Sequence, residues 1–205
     1  MGNITKEQIN GVVHHTTDTS KRHQQLISNL HWRLAEHLYK TDSPYQSLTG
    51  MMINLNEDIF CPDLVITRLN KNSNQNLAYA PTIIIEVLSS NTRDMDIVIK
   101  RDKYQDIASL TAYILVEQDS KQITVFQKKK YWDSRTYQEE EEIYLDSINY
   151  KIAVDDIYHR VRFPVINHEV AQSSPVNHAI SHIIKGAILT VALIIIIYLV
   201  RMFIY

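Results

Sequence analysis

The stretch PTIIIEVLSS, residues 81–90, decides the fold. Ile83, Ile84, Ile85, Val87 and Leu88 form an apolar run without alternation, which reads as a strand buried on both faces. Glu86 stands directly behind the three isoleucines. An unpaired, ionised carboxylate in that position costs several kcal/mol, a large share of the net stability of a domain. A cation, a metal ion or a raised pKa has to compensate for it.

The segments around this strand supply the rest of a sheet. Upstream, YQSLTGMMINL and DIFCPDLVITRL read as strands joined through the polar turn NLNED, and NKNSNQNLAYAP reads as a surface loop. Earlier still, residues 20–40 repeat leucine and isoleucine at helical spacing, with Ser20 placed as a cap. Downstream, SSNTRD offers capping side chains to a helix expected over 95–107, and TAYILVEQ (111–118) is a further buried strand. KQITVFQKK, KYWDSRTYQ and EEIYLDS read as an antiparallel meander, and VDDIYHRV as a short closing helix. Helix, strands, helix, strands is the order of an α/β or α+β domain around one mixed sheet.

The chain has 205 residues, of which 45% are hydrophobic, and a formal net charge of −2. That composition excludes bulk disorder and fits one domain with an appendage. The overall charge carries no nucleic-acid signature, although a local basic patch is compatible with it. One cysteine, Cys61, forms no internal disulfide and fits a reducing compartment. Residues 1–19 lack an apolar leader core and read as loosely ordered. The domain then occupies 20–163, and 164–182 is a linker.

The appendage is the uncharged run GAILTVALIIIIYLV, residues 186–200, flanked by Lys185 and Arg201. Extended to 183–205 with the flanking cations snorkelling, it spans about 34 Å as a helix, enough for a hydrocarbon core of about 30 Å. The expectation is a single-pass C-terminal transmembrane helix that holds the domain on the cytoplasmic side of a membrane.

Three residues carry the candidate chemistry. Asp63 follows Pro62 at the head of the strand LVI, Glu86 ends the isoleucine run, and Lys100 follows on the next helix. Two carboxylates on neighbouring strands converge readily on a hard divalent cation, and a nearby lysine orients a water or stabilises a phosphoryl group. The plainer reading makes Glu86 one half of a structural ion pair with Lys100 or Arg93. Spacing alone leaves both open. No phosphate-binding glycine loop, dinucleotide turn or nucleophile elbow is present.

The ordered motifs CPDLVITR, PTIIIEVLSSNTRDMDIVIKRDKYQDIASLTAYILVEQD and DDIYHRV, with RHQQLISNL before them, resemble the Uma-two family of restriction endonucleases. That family belongs to the PD-(D/E)xK nuclease superfamily. The resemblance implies a restriction-endonuclease-like α/β core, a central mixed sheet flanked by helices. It implies Asp63 and Glu86 as catalytic metal ligands for Mg²⁺, or Mn²⁺, helped by the backbone carbonyl of Val87. Lys100 takes the role of catalytic lysine, displaced onto the helix because the usual E-x-K position holds Leu88. Glu36, His23 and Asp96 are accessory candidates. The implied activity is endonucleolytic hydrolysis of DNA, with DNA as partner and a second copy of the chain as a further candidate partner. The family's usual SPST and DRGEK stand here as SSNT and DIVIK, and its N-terminal strand is not obvious. Two rival readings remain: a retired nuclease fold that binds DNA or protein at a membrane, and a membrane protein whose soluble domain mediates assembly.

Overall fold

The computed structural model describes residues 5–16, 20–69 and 75–163. The chain divides into two units, Met1–Phe163 and Pro164–Tyr205. The expected linker and membrane segment lie outside the described residues. Among the described residues, no helix is long and apolar enough to cross a membrane.

Strand β7 (Pro81–Val87) is buried at every position, as its unbroken apolar run demands. It lies inside a six-stranded sheet in the order β10-β9-β8-β7-β6-β3. These strands are β3 (Tyr45–Thr49), β6 (Leu64–Arg68), β8 (Ala112–Val116), β9 (Gln122–Gln127) and β10 (Ser134–Gln138). The β7–β8 pair is parallel and the other pairs are antiparallel, so the sheet is mixed. The parallel pair needs a crossover, and the helical segment between β7 and β8 supplies it.

The two faces of β7 feed two cores. Ile83, Ile85 and Val87 pack with Leu26, Leu30, Leu34 and Leu38 of α1 (Lys21–Lys40). Four leucines at every fourth position form one stripe along the helix. Truncating any of them to alanine costs about 2–5 kcal/mol. The helix starts where expected, because Ser20 accepts the His23 amide at 3.0 Å. The hairpin of β11 (Glu142–Leu145) and β12 (Tyr150–Ala153), with α3 (Val154–Ile157), completes this face.

Ile84 and Leu88 enter the second core with Phe60, Tyr104 and Tyr113. A second sheet covers this face, in the order β2-β1-β5-β4. Its strands are β1 (Thr5–Ile9), β2 (Val12–Thr16), β4 (Ile53–Leu55) and β5 (Asp58–Phe60). The expected picture of helices on both faces is therefore corrected: one face carries α1, the other mostly a sheet.

Three further expectations change. Residues 5–16 form a β-hairpin in place of a loosely ordered start, turning at Asn10 (φ 52°) and Gly11 (φ 76°). Both turn residues need positive φ, the requirement of a two-residue type I′ hairpin. The helix expected over 95–107 is a π-helical turn, Met95–Lys100, running into a short α2, Arg101–Tyr104. Each of the two upstream segments read as a single strand is broken in two, and β12 was not anticipated.

Candidate functional site

Asp63 and Glu86 meet because β6 and β7 run antiparallel with Leu64 opposite Ile85. One step outward puts Asp63 opposite Glu86 on the same face. The Asp63 amide donates to Glu86 Oε2 at 3.3 Å, and the Val87 amide donates to Asp63 Oδ2 at 2.7 Å. Val87 therefore touches the site through its main chain, while its side chain stays in the α1 core.

Lys100 closes the site from the π-helical turn. Its Nζ lies 3.0 Å from Glu86 Oε1, 3.0 Å from Glu7 Oε1 and 2.9 Å from Asp96 Oδ1. All four side chains are buried, with relative exposures of 3%, 4%, 1% and 2% in that order, Lys100 first. The contact to Asp96 Oδ1 is a charge contact without hydrogen-bond alignment, and Glu7 Oε2 has no donor at all. Glu7 Oε1 also accepts the Cys61 amide at 2.8 Å.

Burial pushes the Glu86 carboxyl well above the usual range, and the Lys100 ammonium opposes that shift while Asp96, Asp63 and Glu7 reinforce it. Asp96 is raised for the same reasons, burial first. Burial alone pulls Lys100 down, but Glu86, Asp96 and Glu7 together hold it well above the ordinary lysine value. Lys100 is thus a permanent cation. It orients and stabilises charge, and it does not serve as a base. Tyr104 donates to Glu86 Oε1 at 3.4 Å and stays a phenol, because burial and the carboxylates raise its pKa. The Cys61 thiol is pushed up to about 11 by burial and by Glu7.

Asp63 stands at the rim of this site, with its side chain 22% exposed. His23 Nε2 lies 3.1 Å from Asp63 Oδ1, and the Gln118 amide nitrogen approaches His23 Nδ1 at 3.4 Å. The same nitrogen donates to the Leu88 carbonyl at 2.8 Å. With Nδ1 accepting from Gln118, the Nε2–H of His23 donates to Asp63. His23 thus orients one carboxylate oxygen while the Val87 amide fixes the other.

Of the residues named from sequence, the structure brings together Asp63, Glu86, Val87, Lys100, His23 and Asp96. It does not bring Glu36. That carboxylate pairs with Lys40 at 2.8 Å on α1, about 20 Å along the helix from His23. Glu7 is the site residue that sequence reasoning missed. The Asn10-Gly11 dipeptide was its available signal, since it marks a hairpin that returns β1 to the body of the fold.

Among the described residues, no set of three or more His, Cys, Asp or Glu side chains forms a metal cage. The donor chemistry still suits a hard cation. Four carboxylates share the site with one ammonium, and Glu7 Oε2 is a buried oxygen without a donor. Mg²⁺ keeps several waters and needs only one or two protein carboxylates.

Comparison with known proteins agrees with this geometry. The family described as "Uma2: Putative restriction endonuclease" matches residues 3–155. An uncharacterised protein from Synechocystis is 28% identical over 163 residues, covering 77% of this chain and 85% of its own length. The crystal structure of "a putative nuclease belonging to DUF820" from Anabaena variabilis shares the fold with a TM-score of 0.65 at 13% identity, over 75% of this chain and 89% of that one. The matched residues take in the hairpin that delivers Glu7 as well as Asp63, Glu86 and Lys100, and the chain belongs to the Uma2 family of restriction-endonuclease-like proteins.

Proposed function

We propose that the chain is an endonuclease that hydrolyses DNA phosphodiester bonds with a divalent cation, Mg²⁺ or in its place Mn²⁺. The carboxylates of Asp63 and Glu86 and the main-chain carbonyl of Val87 would hold the ion. The observation that carries this reading is the convergence of Asp63, Glu86 and Lys100, the last two buried, from three separate elements. When bound, the ion supplies Lewis-acid stabilisation of the charge that develops on the phosphate.

The residues around it have distinct tasks. His23 and the Val87 amide lock Asp63 in one rotamer, so its orientation is set before substrate arrives. Lys100 offsets the charge of Glu86 and keeps a carboxylate tenable in an apolar strand, which answers the problem posed by the isoleucine run. The proton released by the attacking water has to go to solvent or to a carboxylate, because Lys100 holds its own proton too tightly to exchange.

One observation favours a second reading. A lysine that meets three buried carboxylates is also what a structural ion cluster looks like, and a binding module with no cleavage activity would keep it for stability. Incubating the protein with supercoiled plasmid and single-stranded DNA in Mg²⁺, Mn²⁺ or EDTA separates the two. Metal-dependent nicking that disappears in Glu86→Gln supports the nuclease. Binding of DNA without cleavage under every metal supports the module. The uncharged run 186–200 further suggests that the C-terminal segment holds the domain at a membrane.

A further inference from the structure

A groove of about 830 Å³ opens beside the site, lined by Ser20, Lys21, Arg22, Gln118, Arg160 and Arg162 among others. Four of these six side chains are cationic. Arg22 is committed to Asp119 and to the Gln118 carbonyl. Among the described residues, no carboxylate pairs with Lys21, Arg160 or Arg162, and all three are exposed.

The groove is built into the fold. Its two walls are the first turn of α1 and the segment after α3, which are far apart in sequence. Asn29 ties them, donating to the Ile157 and His159 carbonyls at 2.8 Å each. Tyr158 anchors the same segment, donating to the Glu117 carbonyl at 2.7 Å. Arg160 takes a left-handed backbone (φ 60°), which marks a turn in this wall. The floor connects to the candidate site. Ser20 donates to Gln118 Oε1 at 2.8 Å, Gln118 approaches His23, and His23 holds Asp63.

We propose that this groove binds the sugar–phosphate backbone of the nucleic acid next to the phosphate being cut, with Lys21, Arg160 and Arg162 as phosphate contacts. The inference rests on the nuclease reading above and adds the path of the substrate. Unpaired cations along one groove neutralise successive phosphates and release counterions on binding. The connection to Asp63 favours a nucleic-acid strand over an anionic lipid surface, because a membrane on this wall would block access to the rim carboxylate.

The test uses the full-length chain and its Arg160→Glu/Arg162→Glu variant. DNA affinity is read by fluorescence anisotropy of a labelled duplex across a salt series. Hydrolysis of bis(p-nitrophenyl) phosphate is followed in parallel, and binding to phosphatidylserine vesicles is measured. The expected result is about tenfold weaker DNA binding near 100 mM salt, with the log–log salt slope shallower by about 2. Turnover of the small ester stays unchanged. Should that turnover also fall, Arg160→Lys/Arg162→Lys decides: restored DNA affinity upholds the groove, and unrestored affinity overturns it. Unchanged DNA affinity and slope overturn the proposal, as does a loss confined to the vesicles. A wild-type chain that cleaves neither substrate, yet binds DNA through Arg160 and Arg162, sinks the nuclease reading and leaves the groove standing.

Discussion

Replacing Lys100 by methionine keeps the aliphatic stem and removes only the charge on which the site is organised. Three carboxylates lie 2.9–3.0 Å from that ammonium, and each is almost wholly buried. With an effective dielectric of about 20, one such contact is worth on the order of 5 kcal/mol before desolvation is counted. The full sum is never realised, because stranded carboxylates take up protons. The expected loss is about 3–5 kcal/mol near pH 8, the usual cost of breaking a buried pair. That corresponds to a Tm lower by roughly 10–15 °C. The loss should shrink as pH falls toward about 4.5, where free carboxylates begin to protonate. Thermal melts of the wild-type and Lys100→Met proteins in EDTA, at a series of pH values, measure it. A variant as stable as wild type at pH 8, or a loss independent of pH, would refute the ion-cluster reasoning.

Glu86→Gln should behave differently. Lys100 keeps Glu7 and Asp96 as partners, so the variant should be within about 1 kcal/mol of wild type or more stable in EDTA, while losing metal-dependent cleavage. A drop of several degrees in Tm would assign Glu86 a structural role instead. The raised pKa of Glu86 also sets a pH trend: the folded state holds a proton that the unfolded chain releases. Its contribution is complete below the ordinary carboxyl pKa of about 4.3 and is lost as pH rises through the folded value. Metal-free wild type should therefore lose stability as pH climbs through that window, and saturating Mg²⁺ should flatten the curve; a flat metal-free curve contradicts it. His23→Ala should release one oxygen of Asp63 and weaken Mn²⁺ binding by about 10- to 100-fold in calorimetry, with Tm little changed. Last, full-length protein should fractionate with membranes, and recovery in the soluble fraction without detergent would end that expectation.

What the sequence revealed and what it hid follow from the range of the interactions. The isoleucine run announced a central strand, because burial on both faces leaves a mark at every residue. The meeting of Asp63 with Glu86 was readable once two adjacent strands were recognised. Glu7 was not. Its neighbours in TKEQI are polar, and a carboxylate there reads as solvated until the hairpin folds it against Lys100. Asn10-Gly11 marked that hairpin, but the flanking strands lack the apolar alternation that would have drawn attention to them. Glu36 failed for the opposite reason: helical periodicity placed it on α1 correctly, yet gave no measure of its distance from the sheet end where the site lies. The basic groove joins residues more than a hundred positions apart, which no local pattern encodes.

The π-helical turn that carries Lys100 makes the site sensitive to chain length. Such a turn holds one residue more than an α-helical turn of the same hydrogen-bonded span. Val98 and Ile99 occupy it with relative exposures of 55% and 39%, so neither is fixed by packing. Deleting either would let the segment relax to ordinary α-helix and rotate everything beyond it by about 100°. Lys100 would then swing out of the cluster although its identity and all three carboxylates remained. A single-codon deletion at two exposed apolar positions should therefore disarm the site as thoroughly as mutating the lysine, while substitutions at those positions should pass almost unnoticed. Homologues that keep the lysine should vary in residue type across this turn and hold its length constant.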